Sequence, residues 1–537
     1  MRFLASTRYW AVAAAGLLLA AAAQAQLGGR STIIKDATIL VGDGTVIESG
    51  SLVMQGDKIS AVGAEVRGRG RAIDAKGKFI TPGLIDVWST VAFDGSLNGR
   101  SGTARAADAF DPFAKRDIEF SLQQGVTTVY LPARTMNGVG GRGSIVRLLP
   151  EAAADDYILR SDAALSLGLA MDPRSGALDR VRAYMNLRQL FTDAKAYRKS
   201  LEDYEEDLKE YEEKIKKRAE EEAKKPSGDK PAESAPATPG ASPSGEQRGP
   251  RPGGRPGGRP APRPSAEEIA AGDSADDGAE PSDDPAQVPP RPRPGRGRRG
   301  QDAEQPPPES GRPAAPSGPE FKDDIKKPVA PQKDLTKEAL LDAIDGKLLV
   351  RVEAERPEDI LNLVDLAEEF NLAMAIEGAS GAHLVADHLR RARVSVILPV
   401  ESPAMMWTDG ARRTGSIAAP AKLARAGVPV FVGSATSGAN RHLSLAAAQL
   451  VGRGVDENTA LKSITSDAAK LLGIERETGQ LTSGLSADLV IWSGHPFLPD
   501  SRVERVFIKG REVYSAVPSE RDEPDTRGGE EGSEGSL

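Results

Sequence analysis

The sequence predicts an α/β protein: a (β/α) barrel of seven or eight units, with a small β-sandwich formed from both chain ends. Three observations lead there. Apolar segments at 80–87, 126–131, 164–170, 348–352, 372–376, 394–400 and 429–432 alternate with helical patterns such as 117–124, 357–370, 383–391 and 417–426. Strand–helix alternation with nearly continuous apolar strands describes a parallel sheet covered on both faces, and seven or eight such units close into a barrel. Short alternating runs broken by Asp-Gly and Gly-Asp pairs precede this pattern, and two more short strands follow it. An eighth barrel strand is not evident, so a distorted or incomplete barrel is the alternative.

Residues 1–25 have the plan of a secretory signal. Arg2 and Arg8 supply the positive start, 11–23 the apolar core, and Ala23-Gln24-Ala25 a small-x-small cleavage site that leaves Gln26 first. The expectation is a periplasmic or secreted protein. The competing reading, a membrane anchor, needs about 20 apolar residues, more than this run offers, and no membrane span is expected elsewhere. The chain has no cysteine, which excludes disulfides, thiolate zinc sites and thioether lipid anchors. A net charge of −8 argues against nucleic acid as a partner.

Residues 31–76 read as the first part of the sandwich, with Ile33, Ala37, Ile39 and Val41 leading to a Gly42-Asp43-Gly44 turn. The first part of the barrel takes 77–198. Residues 199–225 continue a charged helical run that begins near Arg180; acidic and basic side chains recur at spacings of three and four, as on a solvent-exposed helix lying against its own barrel. Residues 226–333 are Pro, Gly, Ser, Ala and charge, with almost nothing to bury, and are expected to be a disordered insertion. Its basic patches flank an acidic stretch, so a self-neutralising tether is preferred over contact with an anionic envelope surface. The barrel resumes over 334–478 with a helix from Leu335, the sandwich finishes over 479–516, and 517–537 is a polar tail.

The chain is organised around 77–90, GKFITPGLIDVWST. A strand that opens on Pro-Gly and ends on a polar or aromatic cluster delivers its last side chains to a site. Pro82-Gly83-Leu84-Ile85-Asp86 resembles the amidohydrolase superfamily, which carries Pro-Gly-Leu-Ile-Asp-x-His-x-His at the end of its first barrel strand. A second stretch resembles the end of that family's barrel: Ala468-Ala469-Lys470-Leu471-Leu472-Gly473, Gly479-Gln480-Leu481, Gly484 and Ala487-Asp488-Leu489-Val490-Ile491. The resemblance covers nearly all of the chain outside the signal, insertion and tail, and points to the imidazolonepropionase- and dihydroorotase-like branch.

The resemblance implies hydrolysis of carbon–nitrogen bonds other than peptide bonds. One or two divalent ions, zinc by default, would polarise a carbonyl and lower the pKa of a bound water to about 7. The family's ligands are two histidines after the first strand, a lysine or glutamate mid-barrel, histidines after the fifth and sixth strands, and an aspartate after the last. Here the first two positions hold Trp88 and Thr90. The later strands end in Glu353-Ala354-Glu355, in Glu377-Gly378 and in Gly433-Ser434-Ala435. Of the four histidines, His383 and His388 lie in a helical run, His442 opens a helix and His495 sits in the terminal β unit. A family-type metal centre, or any other cofactor, is therefore not expected.

What survives is a set of acids at the strand ends, where a barrel gathers its site. Asp86, Glu353, Glu377 and Glu401 are the candidate catalytic residues. Trp88, Thr90, Glu355, Asn137, Arg351 and Ser434 are candidates for binding. A purely structural alternative pairs the acids with Arg351, Arg356 or helix N-termini. Residues 137–144, NGVGGRGS, contain a G-x-G-x-x-G spacing but open no long helix, so they read as a flexible loop beside the barrel mouth. The expected function is that of a binding protein or non-catalytic subunit, with a small-molecule or peptide ligand, working as a homo-oligomer or beside an active relative. The alternative is an active hydrolase of cyclic amides or similar molecules, using strand-end carboxylates or an atypical metal site.

Overall fold

The computed structural model describes residues 31–68, 70–93, 102–135, 137–169, 176–224, 325–399, 416–435 and 442–516. The expected signal segment, most of the expected insertion, the tail and Glu401 lie outside these residues. The chain divides into two units, one running to Glu212 and resuming at Lys327, the other Glu213–Lys326. Of the second unit, the described residues are the last part of the helix Ala177–Lys224 and residues 325–326.

Among the described residues the first unit holds two sheets. From the start of the chain come β1 (Ser31–Leu40), β2 (Val46–Gln55), β3 (Lys58–Gly63), β4 (Arg71–Asp74) and β5 (Phe79–Pro82). The barrel strands follow: β6 (Leu84–Asp86), β7 (Val126–Leu131), β8 (Asn137–Arg147), β9 (Ile158–Leu169), β10 (Leu349–Ala354), β11 (Met374–Gly378), β12 (Ser395–Pro399) and β13 (Val430–Gly433). The chain ends with β14 (Leu489–Trp492), β15 (Val503–Ile508) and β16 (Arg511–Ser515).

Both chain ends build one sheet, in the order β16-β15-β14-β5-β1-β2-β3 with β4 beside β1. The seam is the antiparallel pair β14–β5, with Leu489 opposite Pro82 and Ile491 opposite Ile80. Leu489 and Ile491 pack with Ile34, Ile39, Leu52 and Phe507, while Val490 and Trp492 turn to the barrel side with Leu84, Ile118 and Val126. A strand buried on both faces has no reason to alternate, which accounts for the unbroken LVIW run.

The segment expected as one strand over 80–87 is two. The break falls at Gly83, whose N–H donates to Asp488 O at 2.9 Å. On one side of it the chain belongs to the terminal sheet, on the other to the barrel. Both stretches are fully buried, so the apolar pattern runs through the junction without marking it.

The barrel sheet runs in chain order from β6 to β13. β6 and β7 are parallel, as are β9 through β13. β8 is antiparallel to both of its neighbours. This corrects the reading of 137–144 as a loop: the glycine-rich stretch opens the eighth strand. Its glycines erase the apolar alternation that would have revealed it, and packing requires them. A Cβ on Gly143 would sit 2.0 Å from the Tyr130 hydroxyl.

The barrel is nearly closed. Among the described residues β13 and β6 form no ladder; Ala435 N–H donates to Trp88 O at 2.7 Å and Ser434 N–H to Asp86 Oδ1 at 3.0 Å. Near the other end of the gap Ile85 N–H donates to Ile464 O at 2.8 Å, and Ala468, Ala469 and Leu472 of the helix Ser466–Leu472 pack with Ile85, Val87 and Phe431. The backbones approach so closely at this seam that a Cβ on Gly433 would lie 2.5 Å from Trp88 Cβ.

Outward-facing Leu165, Val350, Val352, Met374, Ile376 and Val396 pack with buried side chains of the helices Leu335–Ile344, Pro357–Phe370, Ala386–Arg391 and Ala419–Arg425. The first part of the helix Ala177–Lys224 joins them through Ala183, Leu187, Phe191, Ala194 and Tyr197, spaced three and four apart along one face. The helix at Leu335 begins as expected, capped by Asp334, whose carboxylate accepts the N–H groups of Thr336 and Lys337, an arrangement that stabilises by about 1 kcal/mol.

Candidate functional site at the barrel mouth

Strand alternation decides which side chains enter the barrel. On β10, Val350, Val352 and Ala354 belong to the outer core, which leaves Arg351 and Glu353 for the inside. Ala375 on β11, Ala164 on β9 and Tyr130 on β7 form the inner core, so Glu377 and Ser166, two residues further on, share their face. Register places Arg351 opposite both Ser166 and Ala375, and Glu353 opposite Glu377. Ser166, Arg351, Glu353 and Glu377, with Arg134, Thr135 and the stretch Leu167–Leu169, border a cavity of about 160 Å³ at the C-terminal ends of the strands.

Arg351 and Glu377 form a buried ion pair. Arg351 Nε donates to Glu377 Oε1 at 2.7 Å; Nη2 lies 2.5 Å from the same oxygen but out of hydrogen-bonding alignment. Nη1 has no hydrogen-bond acceptor among the described residues. The guanidinium carbon lies 4.1 Å from the Tyr130 ring centroid, a cation–π contact. Burial pushes the Tyr130 hydroxyl up to about 12, against the opposing pull of Arg351. Glu353 stands at the rim, about two-fifths exposed, paired with Arg134. The Arg134 guanidinium in turn lies 5.4 Å from the Trp88 ring centroid.

Asp86 serves the seam. Its Oδ1 accepts N–H groups from Trp88 at 3.1 Å and Ser434 at 3.0 Å. Burial raises its pKa above the ordinary carboxyl value, with these hydrogen bonds working the other way. Ser434 Oγ donates to Trp88 O at 3.3 Å. The Trp88 indole N–H and the Thr90 hydroxyl are buried without hydrogen-bond partners among the described residues.

Of the expected residues, then, Arg351, Glu353 and Glu377 meet at the cavity, and Asp86, Trp88 and Ser434 meet at the seam. Glu355 joins neither group. It follows the end of β10, and its Oε2 accepts the Ser380 N–H at 2.9 Å; burial raises its pKa, opposed by the Ser380 bonds. Asn137 is exposed at the start of β8 and borders a separate hollow with Asn186 and Gln189. Sequence reasoning missed Arg134, Tyr130 and Ser166. Arg134 was within reach, because it follows the end of β7 by three residues.

The described residues at the mouth do not fit a divalent metal. Among the described residues no three His, Asp or Glu side chains converge. Trp88 offers a donor only. Asp86 Oδ1 already accepts two backbone N–H groups, Glu377 is held by Arg351, and a permanent guanidinium charge inside the barrel opposes a second cation. The histidines lie elsewhere. His383 Nδ1 faces Ser380 O, with its pKa lowered by burial and then by Lys422; His388 is exposed; His442 Nδ1 is 2.7 Å from Gln124 Oε1; His495 Nε2 is 3.0 Å from Glu457. A larger cavity of about 710 Å³ lies at the other end of the strands, beside Ser395, Pro429 and Val430. None of the strand-end acids opens into it, so the smaller cavity is the candidate site.

Residues 334–513 match the sequence profile of the amidohydrolase family. Amidohydrolase tasK of Hapsidospora irregularis is 28% identical over 207 residues, 36% of this chain and 21% of that protein, so the match spans about a fifth of the relative's length. Among solved structures, an amidohydrolase from Thermotoga maritima MSB8 is similar over 90% of this chain and 100% of its own, with a TM-score of 0.60 and 22% identity. A prolidase complexed with N-methylphosphonate-L-proline covers the same shares, with a TM-score of 0.45 and 15% identity. The matched third of the chain, residues 334–513, is thus similar to the amidohydrolase family, and the likeness to the solved structures is one of fold. The motif at Pro82–Asp86 lies outside the matched span.

Proposed function

We propose that this chain is an exported member of the superfamily that has lost its metal centre. It binds a small ligand without hydrolysing it, alone or as a non-catalytic subunit beside an active relative. One observation carries the reading: the buried Arg351–Glu377 pair occupies the barrel mouth, beside a first-strand end that offers Trp88 and Thr90 where the family has histidines. Carboxylate-only hydrolysis of C–N bonds is the competing reading. It needs one carboxyl free to give a proton and another free to take one. Glu377 is tied to Arg351, and Glu353 to Arg134. Export rests on the signal-like plan of residues 1–25.

Elemental analysis of protein purified without chelators, run beside turnover assays on cyclic amides, tests the central claim. The expected result is substoichiometric zinc, manganese and nickel with no turnover above background. One tightly held ion per chain, or turnover that Glu377→Gln abolishes, would overturn it. Mass spectrometry of the secreted protein should give Gln26 as the first residue; an intact Met1 in the exported fraction would remove the signal reading.

A further inference from the structure

We propose that the barrel-mouth cavity binds a small aliphatic carboxylate, held by Arg351 and Ser166. The proposal deepens the non-catalytic reading by naming the ligand class. Arg351 is 1% exposed, yet only one edge of its guanidinium is engaged, by Glu377; Nη1 has no acceptor among the described residues. Ser166 is 5% exposed, and its hydroxyl approaches Tyr130 without reaching hydrogen-bond geometry with any described residue. Both side chains border the same cavity. Buried donors are ordinarily satisfied, and a guanidinium edge matches a carboxylate with two parallel N–H···O bonds.

The unmatched groups give the ligand's sign. The unengaged guanidinium edge can only donate, so it calls for an acceptor, and a cation would meet Arg351 head-on. The lining holds two arginines and two glutamates, Arg134, Arg351, Glu353 and Glu377, a neutral set that suits a monoanion better than a phosphate dianion. Gly168, two residues beyond Ser166 on the inner face of β9, carries no side chain and leaves room for a short hydrocarbon tail. At about 160 Å³ the cavity is well below the roughly 300–1,000 Å³ of a drug-sized site, which excludes a nucleotide.

Isothermal titration of the full chain with propionate, in a carboxylate-free buffer, tests this, with propionamide as the neutral isostere. Saturable binding of propionate is expected with a Kd on the order of 1 mM, and none of propionamide. Ser166→Ala, a small change, should weaken propionate about tenfold. Arg351→Met combined with Glu377→Gln, which leaves no unpaired buried charge, should remove binding while a thermal melt reports a folded protein. Absence of saturation up to about ten times that concentration, equal binding of propionamide, or unchanged binding in Ser166→Ala would overturn the proposal. Amide turnover inhibited competitively by propionate would sink the non-catalytic reading and leave the anion site standing.

Discussion

Asp86 shows how a single strand-end carboxyl can join the first and last strands of the barrel. Its carboxyl has a raised pKa because burial disfavours the charge more than the Trp88 and Ser434 N–H groups favour it. Between the ordinary value of 3.8 and the higher value in the fold, the folded state keeps a proton that the unfolded state has released. Stability from this group is therefore present below 3.8 and falls as pH rises through that window. Asp86→Asn keeps an acceptor for both N–H groups. Urea midpoints measured from about pH 4 upward should fall less steeply for this variant than for the parent chain; parallel curves would mean that Asp86 titrates normally. Sequence located Asp86, Trp88 and Ser434, naming the first as a catalytic candidate and the other two as binding candidates. Nothing in a linear pattern shows that the first and last barrel strands meet through a side chain and not through a ladder.

At the scale of elements, the Arg351–Glu377 pair ties β10 to β11 inside the barrel. Removing one partner strands the other charge, so Glu377→Gln alone should cost about 3–5 kcal/mol in chemical denaturation. Adding Arg351→Met should restore much of that loss, and strict additivity of the two changes would show that they do not interact. The strand β8 makes the opposite point about composition. Gly143→Ala should destabilise by about 1–3 kcal/mol, because the new methyl group meets the Tyr130 hydroxyl; a neutral effect would mean that the two can part. The seven apolar barrel segments were legible because burial on both faces forces Val, Ile, Leu and Ala into runs. β8 was not, since close packing there selects glycine, the residue that ordinarily signals a turn. The division of 80–87 between two sheets was equally silent, because each half is buried as deeply as the other.

For the whole molecule, the second unit can be tested by removal. A chain in which a Gly/Ser linker replaces Glu213–Lys326 should keep a single cooperative unfolding transition near the parent's midpoint, since the side chains of the long helix that pack on the core end near Leu201. Loss of the transition would show that the first unit needs the second. The strands β1 to β5 await β14 from the far end of the sequence, and the Gly83 hand-over into the barrel is fixed by Asp488. During synthesis, β5 emerges with a bare edge that its partner cannot cover until Leu489–Trp492 is delivered. Such distant pairing makes for slow maturation and a long interval in which that edge is open to the wrong neighbour. A chaperone that shields the nascent N-terminus would have its greatest effect here.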